Sequence, residues 1–269
     1  MHDEPTTMHA LLHLESHGPD TWIGVSPRYE WGRVYGGQVV AQALRAAAHT
    51  VDDGYEVHSL HAYFIRGGEV TEPIRYEVDR LRNGRSFVTR QVVARQSGGA
   101  ILNLSASFHV DEEGERAQPL GPPDVPAPDE CVDETWSPIF RHVEVDLGPR
   151  PSRSRAWMRV IEDLPDDPVV QACSLAFLSD DNPMSSIAAA SEAHPPPPNG
   201  FSDVWMGASL DHSLWFHEPV RAQRWHLFDL QTQRLGGSRG LATGQIFDEA
   251  GLHVATVAQE GLLRRRRSG

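Results

Sequence analysis

The order of apolar and polar residues between positions 209 and 217 predicts one β-strand with two different faces. Alternate residues of a strand point to opposite sides. One side is mostly apolar and includes His212, whereas the other carries the short polar side chains of Ser209, Asp211 and Ser213. A strand buried only for stability gains nothing from such a row, because buried polar groups without partners cost free energy. The pattern therefore predicts that this face is exposed to solvent or lines a binding or active site.

Three segments have the residue spacing of helices. Residues 38–48 place apolar side chains at i, i+3 and i+4, and their many alanines favour close packing on a sheet. Residues 169–178 predict a second, mostly apolar helix, with an aspartate at 166–167 as its N-cap and Pro168 in its first turn. A short helix is predicted within 8–14. Residues 181–200 predict a loop that contains a stiff proline spacer at 195–198.

The other apolar segments are typical of strands, and they occur twice in a similar order. The first set covers 22–34, 57–65, 74–81, 86–96 and 100–110, and the second covers 140–145, 155–161, 208–217, 224–233, 240–247 and 252–259. Ser59-Leu60-His61 stands 150 positions before Ser209-Leu210-Asp211, which indicates a duplication. The acidic, proline-rich segment 111–135 separates the predicted units 1–110 and 136–269. We expect an α+β fold in which each unit packs one helix on an antiparallel sheet.

Composition excludes several classes of function. The net charge of −13 over 269 residues argues against nucleic-acid binding, which needs a basic surface. No apolar run approaches the roughly 20 residues of a membrane-spanning helix, and the first residues, with no basic start and no apolar stretch, lead us to expect no secretory signal. Cys131 and Cys173 form neither a disulfide framework nor a metal cluster, so we expect a reducing, cytoplasmic location. The basic run 264–267 is interpreted as a solvated tail, with contact to an anionic partner as the alternative.

Familiar catalytic patterns are missing from the sequence. The scattered histidines do not have metal-ligand spacing, residues 207–211 break the Gly-x-Ser-x-Gly pattern, and the glycines at 36–37 lack the further glycine of a dinucleotide loop. We therefore predict no metal and no cofactor. Asp180 at a helix end, with Ser209 and Gln259 on strands, is a set that can hold and deprotonate a water. The residues alone leave open a turn role for Asp180 and a solvent-facing role for Gln259.

Five segments, in order, carry a resemblance to a known family: 36–43, 58–64, 81–87, 211–217 and 257–261. They resemble the type II acyl-CoA thioesterases of the double hotdog fold, and the resemblance runs from about residue 31 to residue 263, skipping the linker. A hotdog is a long helix wrapped by an antiparallel sheet, as expected here for each unit. The resemblance implies hydrolysis of an acyl-CoA thioester to a free fatty acid and CoA.

The resemblance also implies roles for particular residues. Asp180, in the segment 176–180, is expected to be the general base. Ser209 stands two residues before Asp211 where many family members have threonine, and Gln259 lies in a Gln-Glu-Gly segment. Both are expected to position the water and to steady developing charge.

Four further residues are predicted to bind the substrate. The amides of Gly36 and Gly37, at the start of a helix, are candidates for polarising the thioester carbonyl, although glycine there also permits close packing. Arg85 and Arg239 are candidates for binding the CoA phosphates. A homo-oligomer is expected because hotdog sheets commonly pair at their edges.

Two rival functions stay open from the sequence. One is an acyl-CoA binding or regulatory protein without turnover. The other is a hotdog hydratase or dehydratase, which needs a histidine and a carboxylate together at the site. His61 and Asp211 occupy equivalent places in the two repeats, and we interpret them as a buried polar pair or as residues bonded to a neighbouring strand.

Overall fold

The chain forms four α-helices within residues 4–148, 152–192 and 205–266, which the computed structural model describes. They are α1 (Met8–Leu12), α2 (Gly36–Ala48), α3 (Pro168–Ser179) and α4 (Pro183–Ala189). The first three confirm the predicted helices, and the Asp167 side chain caps α3 by accepting from the amides of Val169 and Val170. The loop predicted for 181–200 was wrong at its start, because Pro183 begins α4. The proline spacer 195–198 lies outside the described residues.

Fourteen strands occur in the described residues. They are β1 (Glu15–Ser16), β2 (Thr21–Gly24), β3 (Tyr55–Phe64), β4 (Ile74–Asn83), β5 (Phe87–Gln96), β6 (Gly99–Val110), β7 (Val132–Asp133), β8 (Phe140–Glu144), β9 (Arg153–Val160), β10 (Trp205–Ser209), β11 (Asp211–Phe216), β12 (His226–Gly236), β13 (Arg239–Asp248) and β14 (His253–Arg265). The predicted strand over 22–34 was too long, because pairing ends at Gly24 and Arg33 makes only an isolated bridge.

These strands join into one antiparallel sheet whose two halves meet at β3 and β11, where Leu60 faces Leu214. From β3 the order outward is β6, β5 and β4, and from β11 it is β14, β13 and β12. The halves therefore repeat the same topology on either side of the central pair. This confirms the predicted duplication and the double arrangement of a helix on an antiparallel sheet.

The two long helices pack together and share one core. α2 contacts β4, β5 and β6, α3 contacts β3, β9 and β11, and the helices contact each other. Gly37 permits this approach, because a Cβ atom there would collide with the carbonyl oxygen of Phe177 in α3. The Tyr35 hydroxyl donates to the same carbonyl at 3.0 Å. The start of α2 thus lies against the end of α3.

A β-bulge at Leu210 breaks the strand that was predicted over 208–217. Ser213 pairs with Ala258 of β14, and Ser209 pairs with Gly261 of the same strand. The two serines are four residues apart, whereas their partners in β14 are only three residues apart. One extra residue on this strand shifts the alternation, so Ser209 and Asp211 do not share a face as predicted. Bulges often redirect a side chain in this way near active sites. Here the bulge turns Ser209 toward the helices.

The segment between the two halves is mostly irregular. Residues 111–127 contain no helix or strand, and only a 3-10 turn at Pro128–Glu130 and the short β7 follow before β8. Among the described residues, no helix is long and apolar enough to cross a membrane.

Candidate active site

A cavity of about 520 Å³ opens between the two halves of the molecule. The first half contributes Gly36 and Phe64, and the second contributes Asp180, Met184 and Ser209. A second cavity, of about 390 Å³, lies near the start of α3 and is lined by none of the predicted site residues. The first cavity is therefore the candidate active site.

Asp180, the C-cap residue of α3, contributes a buried carboxylate to this site, with 6% of its surface exposed. Its Oδ1 accepts a hydrogen bond from the Ser209 hydroxyl at 3.2 Å. Burial raises the pKa of Asp180 to about 7, and the neighbouring charge of Asp181 acts in the same direction. Hydrogen bonds from Ser209, the Gly37 amide and Gln259 act in the opposite direction. A carboxyl group with this pKa exchanges protons readily near neutral pH.

Gln259 connects Asp180 and Ser209 to a buried histidine. Its Nε2 donates to Ser209 Oγ at 2.9 Å, and its Oε1 lies 2.6 Å from His212 Nδ1. His212 Nε2 in turn lies 2.8 Å from the hydroxyl of Ser179 in α3. Gln259 and His212 are fully buried, and burial lowers the pKa of His212 to about 4. The structure thus brings Asp180, Ser209 and Gln259 together in one network that includes His212.

The glycines at the start of α2 lie against this carboxylate. A Cβ atom on Gly36 would collide with Asp180 Oδ2. The amide of Gly37 interacts with Asp180 and acts to lower the pKa of this carboxyl group. The predicted role of this amide in polarising a substrate carbonyl stays a prediction. Since the N-terminus of a helix favours negative charge, α2 helps to keep Asp180 ionised.

Asp181 also lines the cavity and is held by two residues that sequence reasoning missed. Its Oδ1 accepts from the indole nitrogen of Trp136 at 2.7 Å, and its Oδ2 lies 2.6 Å from His142 Nδ1. Burial by itself lowers the pKa of His142, but the hydrogen bond and charge of Asp181 outweigh it, and the pKa is raised. The cavity wall therefore contains a buried carboxylate–histidine pair beside Asp180.

The predicted phosphate ligands Arg85 and Arg239 do not line the cavity. The Tyr55 hydroxyl, at the start of β3, donates to the Arg85 carbonyl, whereas the cavity lies at the other end of that strand, at Phe64. Arg239 pairs with Glu260 at 3.0 Å, and Glu260 points to the opposite side of β14 from Gln259. The arginines that do line the cavity are Arg33 and Arg66, which sequence reasoning missed.

His61 and Asp211 each bond to a neighbouring strand, which was one of the two interpretations. His61 Nδ1 lies 3.0 Å from Ser213 Oγ of β11, and Asp211 Oδ1 accepts from the Glu260 amide of β14 at 2.7 Å. They are not a buried pair, since His61 is exposed.

Comparison with known proteins identifies the family and supports the fold. The family model "Acyl-CoA thioesterase N-terminal domain" matches residues 25–109, and "Acyl-CoA thioesterase C-terminal domain" matches residues 111–263. The chain belongs to the acyl-CoA thioesterase family. This confirms the resemblance and, with it, the prediction of an acyl-CoA thioester hydrolase. The predicted domain boundaries at 110 and 135 stay predictions.

Individual members of the family match over nearly their whole length. "Acyl-CoA thioesterase 2" of Haemophilus influenzae is 34% identical over 280 aligned residues, covering 94% of this chain and 96% of that protein. The crystal structure of an acyl-CoA thioesterase II from Mycobacterium marinum matches with a TM-score of 0.84 and 36% identity, covering 97% of this chain and 99% of that one. A protein of unknown function with the hotdog fold from Alicyclobacillus acidocaldarius has a TM-score of 0.79 at 18% identity, covering 97% and 98%, and supports the fold alone.

Proposed function

We propose that Asp180, Ser209 and Gln259 activate the water that hydrolyses the acyl-CoA thioester. The observation that carries the proposal is a buried carboxyl group at the cavity wall, with a pKa of about 7, that accepts from the Ser209 hydroxyl, which in turn accepts from the Gln259 amide. An ionised carboxylate in this position is a base of suitable strength for a water proton. The hydroxyl and the amide hold the water in the orientation needed for attack.

In this mechanism the water oxygen attacks the thioester carbonyl while its proton passes to Asp180. Negative charge then develops on the carbonyl oxygen and is stabilised by hydrogen-bond donors. The candidates are the Gly36 amide, on the cavity wall, and the Gln259 side chain. The tetrahedral intermediate collapses by breaking the carbon–sulfur bond, the CoA sulfur takes the proton held by Asp180, and the fatty acid is released. No covalent enzyme intermediate is required.

The test is release of free thiol from acyl-CoAs of increasing chain length, with the acid product identified by mass spectrometry. Asp180→Asn and Gln259→Ala are expected to lose most of the rate while staying folded. Asp211→Asn is the matched carboxylate control, because Asp211 bonds to the Glu260 amide and does not line the cavity. A wild-type protein that binds acyl-CoAs without thiol release, or that forms an enoyl or hydroxyacyl product, contradicts the proposal in favour of one of the two rival functions.

Two predictions from the sequence belong with this proposal. The prediction of a homo-oligomer is tested by measuring the mass of the purified protein in solution. A mass equal to that of one chain would contradict it. A cytoplasmic location is supported by the two cysteines, which are free in the structure and do not pair with each other.

A further inference from the structure

A cluster of aromatic rings runs from the core to the mouth of the active-site cavity. Phe140 and Phe177 are its buried inner members, and Tyr29 and Tyr35 are nearly buried. The outer members are Trp31, with 50% of its surface exposed, and Trp136, with 37% exposed; both line the cavity. Large exposed apolar groups at the edge of a cavity are common features of ligand-binding sites.

The ring geometry leaves one face of Trp31 uncovered by its neighbours. Trp31 stacks on Tyr29 with ring centroids 4.9 Å apart and planes 9° apart, so Tyr29 covers one face. Trp136 stands nearly perpendicular to both rings, 5.0 Å from Trp31 and 6.0 Å from Tyr29. A ring over the outer face of Trp31 would lie much further from Tyr29 than the 6.0 Å that separates Trp136 from Tyr29. Trp136 therefore lies beside the two stacked rings and does not cover the outer face of Trp31. The exposed half of Trp31 therefore includes its outer face, where a planar ligand can stack.

Positive charge lies next to this uncovered face. Arg33 follows Trp31 by two residues, and both Arg33 and Arg66 line the same cavity. Arg66 donates to the Gly98 carbonyl. The Arg33 side chain makes no ion pair or hydrogen bond with any residue in the described part of the chain. A guanidinium without a partner on a chain of net charge −13 is a local site for an anion, because arginine matches phosphate geometry.

We propose that the nucleotide end of CoA binds here, with the adenine on the outer face of Trp31 and a phosphate on Arg33. The inference rests on the proposed function, which places the thioester beside Asp180 in the same cavity. Bases stack on aromatic side chains, and phosphates pair with arginine, so a planar face beside a free guanidinium matches both parts of this ligand. The flexible pantetheine arm connects the two ends and permits both contacts at once.

The test compares one acyl group on two carriers, CoA and pantetheine, of which only CoA contains the nucleotide. Trp31→Ala and Arg33→Ala are each expected to lower kcat/KM for the acyl-CoA about tenfold. Both should leave kcat/KM for the acyl-pantetheine within about twofold of wild type. Adenosine 3′,5′-bisphosphate should inhibit acyl-CoA hydrolysis by wild type and lose potency against both variants. Arg234→Ala is the control for loss of an exposed arginine, because Arg234 is exposed and does not line the cavity. Thermal unfolding identifies any variant that fails to fold.

The outcomes separate this inference from the proposed function. An equal loss on both carriers, or no loss on either, overturns the nucleotide site while Asp180→Asn still tests the chemistry. Trp31→Phe adds a second check, because it keeps a planar face and should retain more acyl-CoA activity than Trp31→Ala. If wild type hydrolyses neither carrier, the proposed function itself has failed.

Discussion

His212 Nδ1 lies 2.6 Å from Gln259 Oε1, and both side chains are completely buried. Because the pKa of His212 is lowered to about 4, its ring is neutral at neutral pH and carries one N–H. An amide oxygen only accepts hydrogen bonds, so this proton lies on Nδ1, and Nε2 accepts from the Ser179 hydroxyl. This arrangement orients the Gln259 amide with its NH2 group toward Ser209, which leaves the serine hydroxyl free to donate to Asp180.

We therefore predict that His212 is a positioning residue for Gln259. Replacing it by leucine leaves the buried Gln259 oxygen without a donor, and the amide then turns or shifts. We expect His212→Leu to lower kcat by about 10- to 100-fold with a smaller effect on KM. His212→Asn keeps an N–H group and should recover part of that loss at similar thermal stability. Equal kcat values for the two variants would indicate that His212 only fills space.

The pH dependence of the rate is the second prediction. Only ionised Asp180 can take a proton, and its pKa is about 7. We expect kcat/KM to increase about tenfold per pH unit below pH 7 and to level off above it. Asp180→Asn should lose the rate by about 10²- to 10⁴-fold and remove this dependence. A rate that stays constant from pH 5 to pH 8 in wild type would show that another group is the base.

The raised pKa of Asp180 also predicts that its burial lowers the stability of the protein. The pKa of Asp180 is about 7 in the folded protein and 3.8 in the unfolded chain, so between these pH values the folded protein binds more protons than the unfolded chain. The free energy of unfolding therefore falls as pH rises from about 4 to about 7, by roughly 4 kcal/mol at about 1.4 kcal/mol per unit. An asparagine side chain cannot ionise, so Asp180→Asn should be more stable than wild type at pH 8 by about 2 to 4 kcal/mol. Urea unfolding at pH 5 and pH 8 measures this, and a variant less stable than wild type at pH 8 would contradict it.

Asp181 provides a fourth prediction, since its charge contributes to the raised pKa of Asp180. Asp181→Asn removes that charge and retains a similar shape. We expect the acidic limb of the kcat/KM profile to move to lower pH, whereas the plateau changes less. His142→Gln is the matched control, because it breaks the same ion pair but leaves the Asp181 carboxylate in place. If the pH profile of Asp181→Asn does not differ from that of wild type, the charge of Asp181 does not contribute to the raised pKa of Asp180.

Much of this arrangement follows from local patterns in the sequence. The apolar spacing of α2 and α3 and the aspartate cap at Asp167 depend on residues close together in the chain, so they were predictable. The repeat of Ser59-Leu60 at Ser209-Leu210 is a similarity of the sequence itself and was visible without the structure. The bulge at Leu210 was not, because it is set by register against β14 and leaves the alternation of the sequence unchanged. For the same reason Ser209 and Asp211 were expected on one face.

Contacts between distant segments were the other source of error. His212 was visible as one polar residue on an apolar strand face, which is a signal for a buried hydrogen-bond network. The pairing of Asp181 with His142 and Trp136 joins residues about 40 positions apart, and neither partner has a distinctive motif. The positions of Arg33 and Arg66 at the cavity depend on how the two halves of the molecule pack together. The sequence therefore offered no reason to prefer these two arginines to Arg85 and Arg239 as ligands of the CoA phosphates.

Gly36 supplies the last prediction, because the start of α2 and the Asp180 carboxylate occupy nearly the same space. Alanine favours a helix more than glycine does, so a Gly→Ala change at a helix start is usually tolerated. At Gly36 the added Cβ would collide with Asp180 Oδ2 and would lie in tight contact with the Phe64 ring. We expect Gly36→Ala to reduce kcat/KM by more than about tenfold while lowering the free energy of unfolding by about 1 to 3 kcal/mol. Gly114→Ala, where a Cβ meets nothing within 4 Å, is the control and should leave both quantities unchanged. Full activity in Gly36→Ala would show that the carboxylate can move without loss, and therefore that its present position is not the catalytic one.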